Sequence, residues 1–337
     1  MSSTNTQVRL AAHPIGLPKD SDWSIVEEPA PTPGEGEFVV EISHLSLDPA
    51  MRGWMNPGAS YIDPVEIGAV MRAGAVGAVT ESRHPSFAVG EHVTGAFGVQ
   101  EHALSDGRGV SKIDPSLAPL PTYLGALGIT GMTAYFGLLD TGKLKTGDTV
   151  LVSGAAGAVG SVAGQIAKIK DCRVIGIAGG EEKCAWLTDE LGFDAAIDYK
   201  HEDLRSALRE HAPDGIDVYF DNVGGDILDA ALTRLARGAR IVICGAVSQY
   251  NATEGVKGPA NYLALLVARA SMTGMVVFDF ATRYGEAARE LSGWLRDGSL
   301  ISREDVIDGG VRDFPKALLR LFAGENIGKL VLRIDTA

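Results

Sequence analysis

The chain has 337 residues, of which 45% are hydrophobic and 22% charged, values that are ordinary for a soluble globular protein with room for two domains. Its formal net charge of −13 argues against nucleic-acid binding, because that function needs clustered positive charge opposite the phosphates. We expect no membrane-spanning segment and no signal peptide, since no apolar run is long enough and residues 1–9 are polar, and the three widely spaced cysteines favour reduced thiols in a cytoplasmic protein.

The N-terminal region has short β-like runs separated by Gly, Pro and Asp, a pattern typical of an irregular barrel. The clearest runs are 37–42, 77–80 and 92–94. Another apolar run, 329–334, lies near the end of the sequence, and nothing after it could pair with it. We therefore predict that 329–334 is a strand paired with the N-terminal region.

The segment 149–170 joins an apolar strand to a glycine turn and then to a helix with apolar residues on one face. The turn matches the G-x-G-x-x-G pattern imperfectly, with Ala155 at the first position and Gly157 and Gly160 at the others. Glycines between a strand and a helix let backbone N–H groups approach a pyrophosphate at the helix N-terminus. The pattern predicts a dinucleotide site; the alternative is a tight helix–strand contact without a ligand.

Strands and helices alternate after this turn, with short gaps between them. The predicted strands are 172–178, 195–197, 217–220 and 240–244, and the predicted helices are 181–191, 202–211 and 226–236. Such alternation over about 150 residues indicates a six-stranded, doubly wound parallel sheet. Ligands should then gather where the strands end, at Ser153, Ala178, Asn222 and Gly245.

The end of the second strand of this region bears on the choice between NAD and NADP. An acidic residue there would bind a ribose hydroxyl, whereas a basic residue would pair with a phosphate. The strand ends in Ala178 and two glycines, with Lys183 one helical turn beyond, so we predict NADP(H) with Lys183 as a phosphate partner. A solvated lysine is the alternative, and Glu181 and Glu182 would repel a phosphate unless they point away from it.

Eight short motifs carry a resemblance to a known family along nearly the whole chain. They are 47–53, 131–137, 152–161, 178–184, 198–200, 221–225, 245–251 and 324–329. Together they resemble the medium-chain dehydrogenase/reductases, in particular the zinc-independent leukotriene B4 12-hydroxydehydrogenase, prostaglandin reductase and curcumin reductase group. The resemblance implies an α/β protein with a GroES-like β-barrel catalytic domain, 1–125 and 304–337, and a Rossmann NADP-binding domain, 126–303.

The same resemblance implies an activity. In this family NADPH delivers hydride to the β-carbon of an α,β-unsaturated ketone or aldehyde, and no metal takes part. A hydrogen-bond donor is needed near the carbonyl oxygen to stabilise the enolate that forms. Tyr250 matches a position whose tyrosine faces the active site in relatives, and Tyr61 is a second candidate. Alternatively, either ring packs in a glycine-rich loop without a catalytic role.

The resemblance also implies a set of cofactor contacts. Met132 and Thr133 would lie at the domain junction, and Val277 and Phe278 would meet the carboxamide through backbone atoms unless they are ordinary strand core. The remaining expected contacts are Ala155, Gly157, Ala158, Val159 and Gly160 in the turn, Gly179, Lys183 and Tyr199 on the adenosine side, and Asn222, Gly224, Tyr250 and Asn326 towards the ribose and nicotinamide.

Zinc alcohol dehydrogenases share this architecture, so the metal ligands matter. Cys172, Cys184 and Cys244 all fall in the nucleotide half, and no two have C-x-x-C spacing. His44 lies near the place of a cysteine ligand in zinc-dependent relatives, with Asp48 shortly after it, but no thiolate accompanies them. We expect no metal.

Two rival functions stay open at this point. One is an NADPH quinone reductase on the same scaffold, and the other is a non-catalytic NADPH-binding interaction protein. The expected substrate is a small hydrophobic α,β-unsaturated carbonyl compound, whose identity the sequence does not determine. Relatives form homodimers through the last strand of the nucleotide domain; here 271–278 is either that strand or a buried strand of a monomer.

Overall fold

A computed structural model describes residues 4–58 and 60–335. The chain divides into two compact units, and each is described by itself below. The first unit combines Met1–Leu124 with Glu304–Ala337, and the second is Gly125–Arg303.

The strands of the described residues are, in chain order, β1 Thr4–Leu10, β2 Trp23–Pro29, β3 Phe38–Ser46, β4 Ala75–Ser82, β5 His92–Gly95, β6 His102–Ser105, β7 Ser111–Ile113, β8 Thr149–Ser153, β9 Arg173–Ala178, β10 Ala195–Asp198, β11 Ile216–Asp221, β12 Leu235–Ile243, β13 Ser271–Gly274, β14 Glu304–Gly309 and β15 Lys329–Ile334. The α-helices are α1 Met51–Trp54, α2 Ile129–Phe136, α3 Ala158–Ile169, α4 Glu181–Ala185, α5 Leu204–His211, α6 Gly225–Leu232, α7 Ala264–Ala268, α8 Tyr284–Asp297 and α9 Phe314–Ala323.

The first unit is built on a mostly antiparallel sheet in the order β14-β15-β3-β4-β5-β7, with β6 also paired to β3 and a separate β1-β2 pair. Four apolar side chains of β3 are fully buried, as are Phe314 and Leu318 of α9, and they share one core; the four are Phe38, Val40, Ile42 and Leu45. The predicted strand 329–334 is confirmed as β15, which pairs antiparallel with β3 and parallel with β14.

The second unit contains six parallel strands in the order β10-β9-β8-β11-β12-β13. The predicted six-stranded parallel sheet is thereby confirmed. Strand β8 is buried from Val150 to Ser153, as expected of a strand with a helix layer on each face. The chain order reverses between β8 and β11, which lie side by side at the middle of the sheet. In such sheets ligands bind beyond the carboxyl ends of the strands at this reversal.

Two predicted helices differ in extent from the observed ones, and the strand predicted over 240–244 begins earlier, at Leu235. The helix predicted over 226–236 ends at Leu232, because the Arg234 carbonyl accepts the Ile216 N–H and Leu235 joins the sheet beside β11. The helix predicted over 181–191 is split into α4 and a π-helical turn, Trp186–Glu190.

The predicted strand 271–278 was too long. Its sheet pairing ends at Gly274, and Val277 and Phe278 belong to a 3₁₀ helix, Val277–Arg283, so neither is strand core. Strand β13 is exposed along its whole length, which contradicts a buried strand. Within the described residues, no helix has both the length and the apolar character needed to cross a bilayer.

Candidate cofactor and active site

The turn between β8 and α3 is tighter than the predicted glycine pattern suggested. Gly154 has φ +56°, a left-handed conformation that favours glycine, whereas Ala155 is fully buried and is not among the described residues with positive φ. The Ala155 N–H donates to the Ile177 carbonyl of β9 (3.0 Å), which fixes the turn against the sheet. Gly154 was missed as a site residue, although its signal, a glycine directly after the strand, was present in the sequence.

Gly160 lets α3 begin directly against this turn. A Cβ atom at Gly160 would lie 2.3 Å from the Gly154 carbonyl oxygen and 2.8 Å from the Ala155 Cα. Both neighbours are backbone atoms, so they cannot rotate away as a side chain would. The third glycine of the pattern is therefore required by helix–turn packing as well as by its place in the motif.

The N-terminus of α3 offers hydrogen-bond donors. Gly157 caps the helix without any side-chain hydrogen bond, and its own N–H donates to the Gly154 carbonyl (3.0 Å). The N–H groups of Ala158, Val159 and Gly160 belong to the first helical turn, which has no intrahelical acceptors for them. With the positive end of the helix dipole, this arrangement fits a pyrophosphate.

A buried polar network joins β8 to β11 at the reversal point of the sheet. The Ser153 hydroxyl donates to Asp221 Oδ1 (2.7 Å) and accepts the Asn222 N–H (2.9 Å). The Asn222 side-chain amide donates back to the Ser153 carbonyl (2.7 Å). Asn222, a predicted cofactor contact, is thus held at the strand ends by two hydrogen bonds to Ser153.

Asp221 is the centre of that network and is fully buried. Its Oδ1 also accepts the Tyr219 hydroxyl (2.7 Å) and the N–H groups of Val223 and Gly224 (both 3.0 Å). Its Oδ2 is buried and has no hydrogen-bond partner among the described residues. Asp221 therefore shapes the turn that holds Gly224 at φ +70°, ahead of α6. Sequence reasoning did not identify it.

The buried carboxylate also affects its neighbours. Burial, and then the nearby charge of Asp221, raises the pKa of the Cys244 thiol to about 12. The same two causes raise the pKa of the Tyr219 hydroxyl well above its ordinary value. Both groups therefore stay protonated at neutral pH.

Tyr250 lies near the carboxyl ends of β11 and β12. Its hydroxyl accepts the Ala246 N–H (3.2 Å), and a Cβ atom at Gly245 would be 3.0 Å from the hydroxyl oxygen. The same Cβ atom at Gly245 would be 3.2 Å from the carbonyl oxygen of Asn222. The structure thus brings Tyr250 and Asn222 to the same place, where a tyrosine hydroxyl can both accept and donate a hydrogen bond.

The residues predicted to contact the adenosine side lie around the turn after β9. A Cβ atom at Gly179 would be 2.9 Å from the Tyr199 ring, so these two predicted contacts lie together. The next residue, Gly180, has φ +103°, and its N–H donates to Asp198 Oδ1 (2.9 Å). Lys183 follows in α4 and is half-buried.

The remaining predicted residues fall in both units. In the second unit, Met132 and Thr133 are buried in α2, and Phe278 is 42% exposed. In the first unit, the half-exposed Tyr61 hydroxyl accepts the Trp54 indole N–H (3.2 Å), and the buried Asn326 amide donates to the Gly328 carbonyl (2.9 Å). The proximity of Tyr61 and Asn326 to the second-unit residues stays a prediction.

Metal-binding side chains do not come together in the part of the chain that the structure describes: no three His, Cys, Asp or Glu residues are grouped. The His44 ring shares a hydrogen bond with the Ser43 hydroxyl (2.9 Å), and burial lowers its pKa. Asp48 is paired with the ammonium of Lys329 (2.9 Å), which is itself buried.

Two family descriptions match the sequence. Residues 6–113 match the N-terminal domain of oxidoreductase, and residues 158–293 match zinc-binding dehydrogenase. Over 331 residues the chain is 42% identical to the NADPH-dependent curcumin reductase of Escherichia coli (strain K12), which covers 96% of this chain and 95% of the relative. The chain belongs to the medium-chain dehydrogenase/reductase superfamily.

Other medium-chain dehydrogenase/reductase members are similar over nearly their whole length. The NADP⁺-dependent 2-alkenal reductase of Nicotiana tabacum is 39% identical, with 98% of each chain covered. The crystal structure of CurA from Vibrio vulnificus in complex with NADPH has a TM-score of 0.93 at 44% identity, covering 98% of this chain and 100% of that one. The predicted family and α/β fold class are confirmed.

Proposed function

We propose that this protein is an NADPH-dependent reductase of the C=C bond of α,β-unsaturated ketones and aldehydes. The observation that carries the proposal is the whole-length similarity to reductases whose names specify NADPH and curcumin, or NADP⁺ and a 2-alkenal. A 2-alkenal is an α,β-unsaturated aldehyde, and its β-carbon is the electrophilic atom that a hydride would attack. NADPH supplies that hydride when it is bound.

Apart from Asn326, which lies in the first unit, the groups that would hold the cofactor come from the second unit. The turn from Ala155 to Gly160 and the first-turn N–H groups of α3 fit the pyrophosphate. We assign the adenosine side to Gly179, Lys183 and Tyr199, and the nicotinamide side to Met132, Thr133, Asn222, Gly224, Tyr250, Phe278 and Asn326. This assignment makes 126–303 the NADP-binding domain, and 1–125 with 304–337 the catalytic domain.

Tyr250 is the residue that we assign to the substrate carbonyl. Negative charge moves onto the carbonyl oxygen as the β-carbon accepts hydride, so a donor fixed at that oxygen stabilises the transition state more than the ground state. The Ala246 N–H holds the Tyr250 hydroxyl in place (3.2 Å), which lowers the cost of reorienting it during the reaction. Tyr61 is the second candidate for this role.

We further propose that the reaction is independent of zinc and that the protein is cytoplasmic. The Asp48 carboxylate is already balanced by the buried Lys329 ammonium, and the His44 ring is engaged with Ser43. The three cysteines are free thiols, which suits a reducing compartment.

A homodimer is also part of the proposal. Strand β13 is an exposed edge of the parallel sheet, where a second copy could continue the pairing. Close by in the chain, Leu263, Leu266 and Val267 are 59%, 76% and 71% exposed. Leu266→Asp should shift the protein to a monomer in light scattering, whereas the control Leu117→Asp, at a 79% exposed residue of the first unit, should not. A wild-type monomer at micromolar concentration would refute the dimer.

The central test is an assay of NADPH oxidation, which is measured as the loss of the near-ultraviolet absorbance of NADPH. The panel consists of a 2-alkenal, a linear enone, a bulky aryl enone and a quinone, each run with NADPH and with NADH. We expect turnover of the alkenal or the enones, with a strong preference for NADPH. Turnover of the quinone alone would replace the proposal with a quinone reductase. Binding of NADPH without any turnover would replace it with a non-catalytic NADPH-binding interaction protein.

A further inference from the structure

The short segment between β10 and α5 folds back over the tip of β9. A Cβ atom at Gly179 would lie 2.9 Å from Cε of Lys200, the same distance as from the Tyr199 ring. The aliphatic part of the Lys200 side chain therefore packs against Gly179, and the Lys200 ammonium is one bond beyond the contacting Cε atom. In dinucleotide-binding sheets, the tip of this strand is where a side chain distinguishes the ribose 2′-hydroxyl of NAD from the 2′-phosphate of NADP.

The two acidic residues nearest to Lys200 in the chain, Asp198 and Glu202, have other partners, and Glu202 Oε1 accepts the Asp198 N–H (2.7 Å). Asp198 Oδ1 accepts the N–H groups of Gly180 (2.9 Å) and Lys200 (3.1 Å), and Oδ2 lies 2.7 Å from the His201 ring. His201, followed by the Gly180 N–H, holds the pKa of Asp198 below its ordinary value. Asp198 thus fixes the backbone of Lys200, and within the described residues no carboxylate forms an ion pair with the exposed Lys200 ammonium.

The charge around the turn after β9 calls for a second cation. Glu181 and Glu182 precede Lys183 directly, so these three residues carry a net charge of −1. A phosphate group adds up to two more negative charges, which a single lysine flanked by two carboxylates does not balance. Lys200, whose side chain packs against Gly179, adds a second positive charge beside this turn.

We propose that Lys200 binds the ribose 2′-phosphate of NADPH together with Lys183, and that it determines much of the preference for NADPH over NADH. This inference rests on the proposed NADPH-dependent function. It requires a glycine at 179, because a side chain there would displace both Lys200 and Tyr199.

Lys200→Gln tests the charge, and Lys200→Arg tests its rescue. The matched control is Lys145→Gln. Lys145 is an exposed lysine in the turn before β8, at the amino-terminal ends of the parallel strands and not at their carboxyl ends. Each purified protein is titrated with NADPH and with NADH by quenching of its intrinsic fluorescence, without any substrate. We expect Lys200→Gln to weaken NADPH binding roughly tenfold and NADH binding less than twofold, since a charge-assisted hydrogen bond is lost. Lys200→Arg should retain most of the affinity, and Lys145→Gln all of it.

Unchanged NADPH affinity in Lys200→Gln, or equal weakening of NADPH and NADH, would overturn the role of Lys200 and leave the reductase proposal intact. A wild-type protein that binds no NADPH would overturn both. Gly179→Ala provides a second variant, because the three atoms nearest to the added methyl group all belong to the side chains of Lys200 and Tyr199. It should weaken NADPH binding selectively while the melting temperature stays within a few degrees; an unaltered NADPH affinity would contradict the proposed position of Lys200.

Discussion

Asp221 and Asp198 each end a parallel strand of the second unit, and each accepts two backbone N–H groups from the residues that follow the strand ends. Their surroundings differ. Asp221 is fully buried at the central reversal point, with two hydroxyl donors, whereas the histidine partner of Asp198 has a side chain that is 74% exposed. An aspartate at the end of a strand therefore acts in two ways. Asp221, at the centre of the sheet, fixes the backbone from within the core. Asp198, at the end of the outer strand β10, fixes the backbone while nearby cations stay accessible to a ligand.

The largest effect should come from Asp221→Ala. The change removes the acceptor of the Ser153 and Tyr219 hydroxyls and of two N–H groups, all at a buried site. We expect a loss of roughly 3 kcal/mol or more in the free energy of unfolding, measured by urea denaturation. Asp221→Asn keeps an oxygen that can accept the same bonds and should lose much less. Equal losses in the two variants would contradict the importance of these hydrogen bonds.

Tyr250→Phe tests whether the central region also carries the chemistry. Removal of one preorganised donor at a developing oxyanion typically costs about a hundredfold in kcat. We expect a fall of that order in enone reduction with little change in the KM for NADPH. The control is Tyr123→Phe, which removes a hydroxyl bonded to the Asp114 carbonyl in the first unit. A similar fall in both variants would argue against a role at the substrate carbonyl.

Gly160→Ala tests the packing of the glycine turn. The added methyl group would meet backbone atoms at 2.3 and 2.8 Å, so we expect a loss of about 1–3 kcal/mol in stability together with weaker NADPH binding. Gly293→Ala is a matched control, because Gly293 lies inside α8 with open space around its Cβ position. That control should gain about 0.5–1 kcal/mol, since alanine is the better helix former. Retained NADPH affinity in Gly160→Ala would count against this turn as the pyrophosphate site.

The smallest effect concerns the outer aspartate. Since the pKa of Asp198 is lowered in the folded protein, its ionised form contributes stability above its ordinary pKa, and this contribution disappears as the pH falls through the lowered value. We expect wild type to exceed Asp198→Asn in stability by less than about 1 kcal/mol at neutral pH, because the His201 side chain that pairs with Asp198 is 74% exposed. The difference should shrink below about pH 4, as followed by urea midpoints. A difference independent of pH would contradict the ionic contribution.

The sequence predicted those features that depend on neighbours along the chain. The strand, glycine turn and helix of 149–169 follow from apolar periodicity and glycine placement, and the parallel sheet follows from the alternation of elements. The end of α6 was misplaced because Leu235 is taken into the sheet by Ile216, a tertiary pairing that overrides local periodicity.

The hydrogen bonds at the centre of the site could not be predicted from local sequence patterns. The Ser153 hydroxyl and Asp221 meet across 68 residues because β8 and β11 are neighbours in the sheet, which no local pattern reveals. Similarly, the contact of Lys200 with Gly179 depends on how the turn after β10 folds over β9. The left-handed conformation at Gly154 could have been predicted, since glycine is the residue that best tolerates it.

The pairing of β15 with β3 also determines when each unit can finish folding during synthesis. Lys329 of β15 forms its ion pair with Asp48, which lies 281 residues earlier in the chain. The second unit is a continuous stretch and can be completed by the time residue 303 leaves the ribosome, whereas one edge of β3 must wait for β15. The N-terminal part of the first unit is thus translated first but completed last, and in the interval the edge of β3 that β15 will cover is open to aggregation and to chaperones.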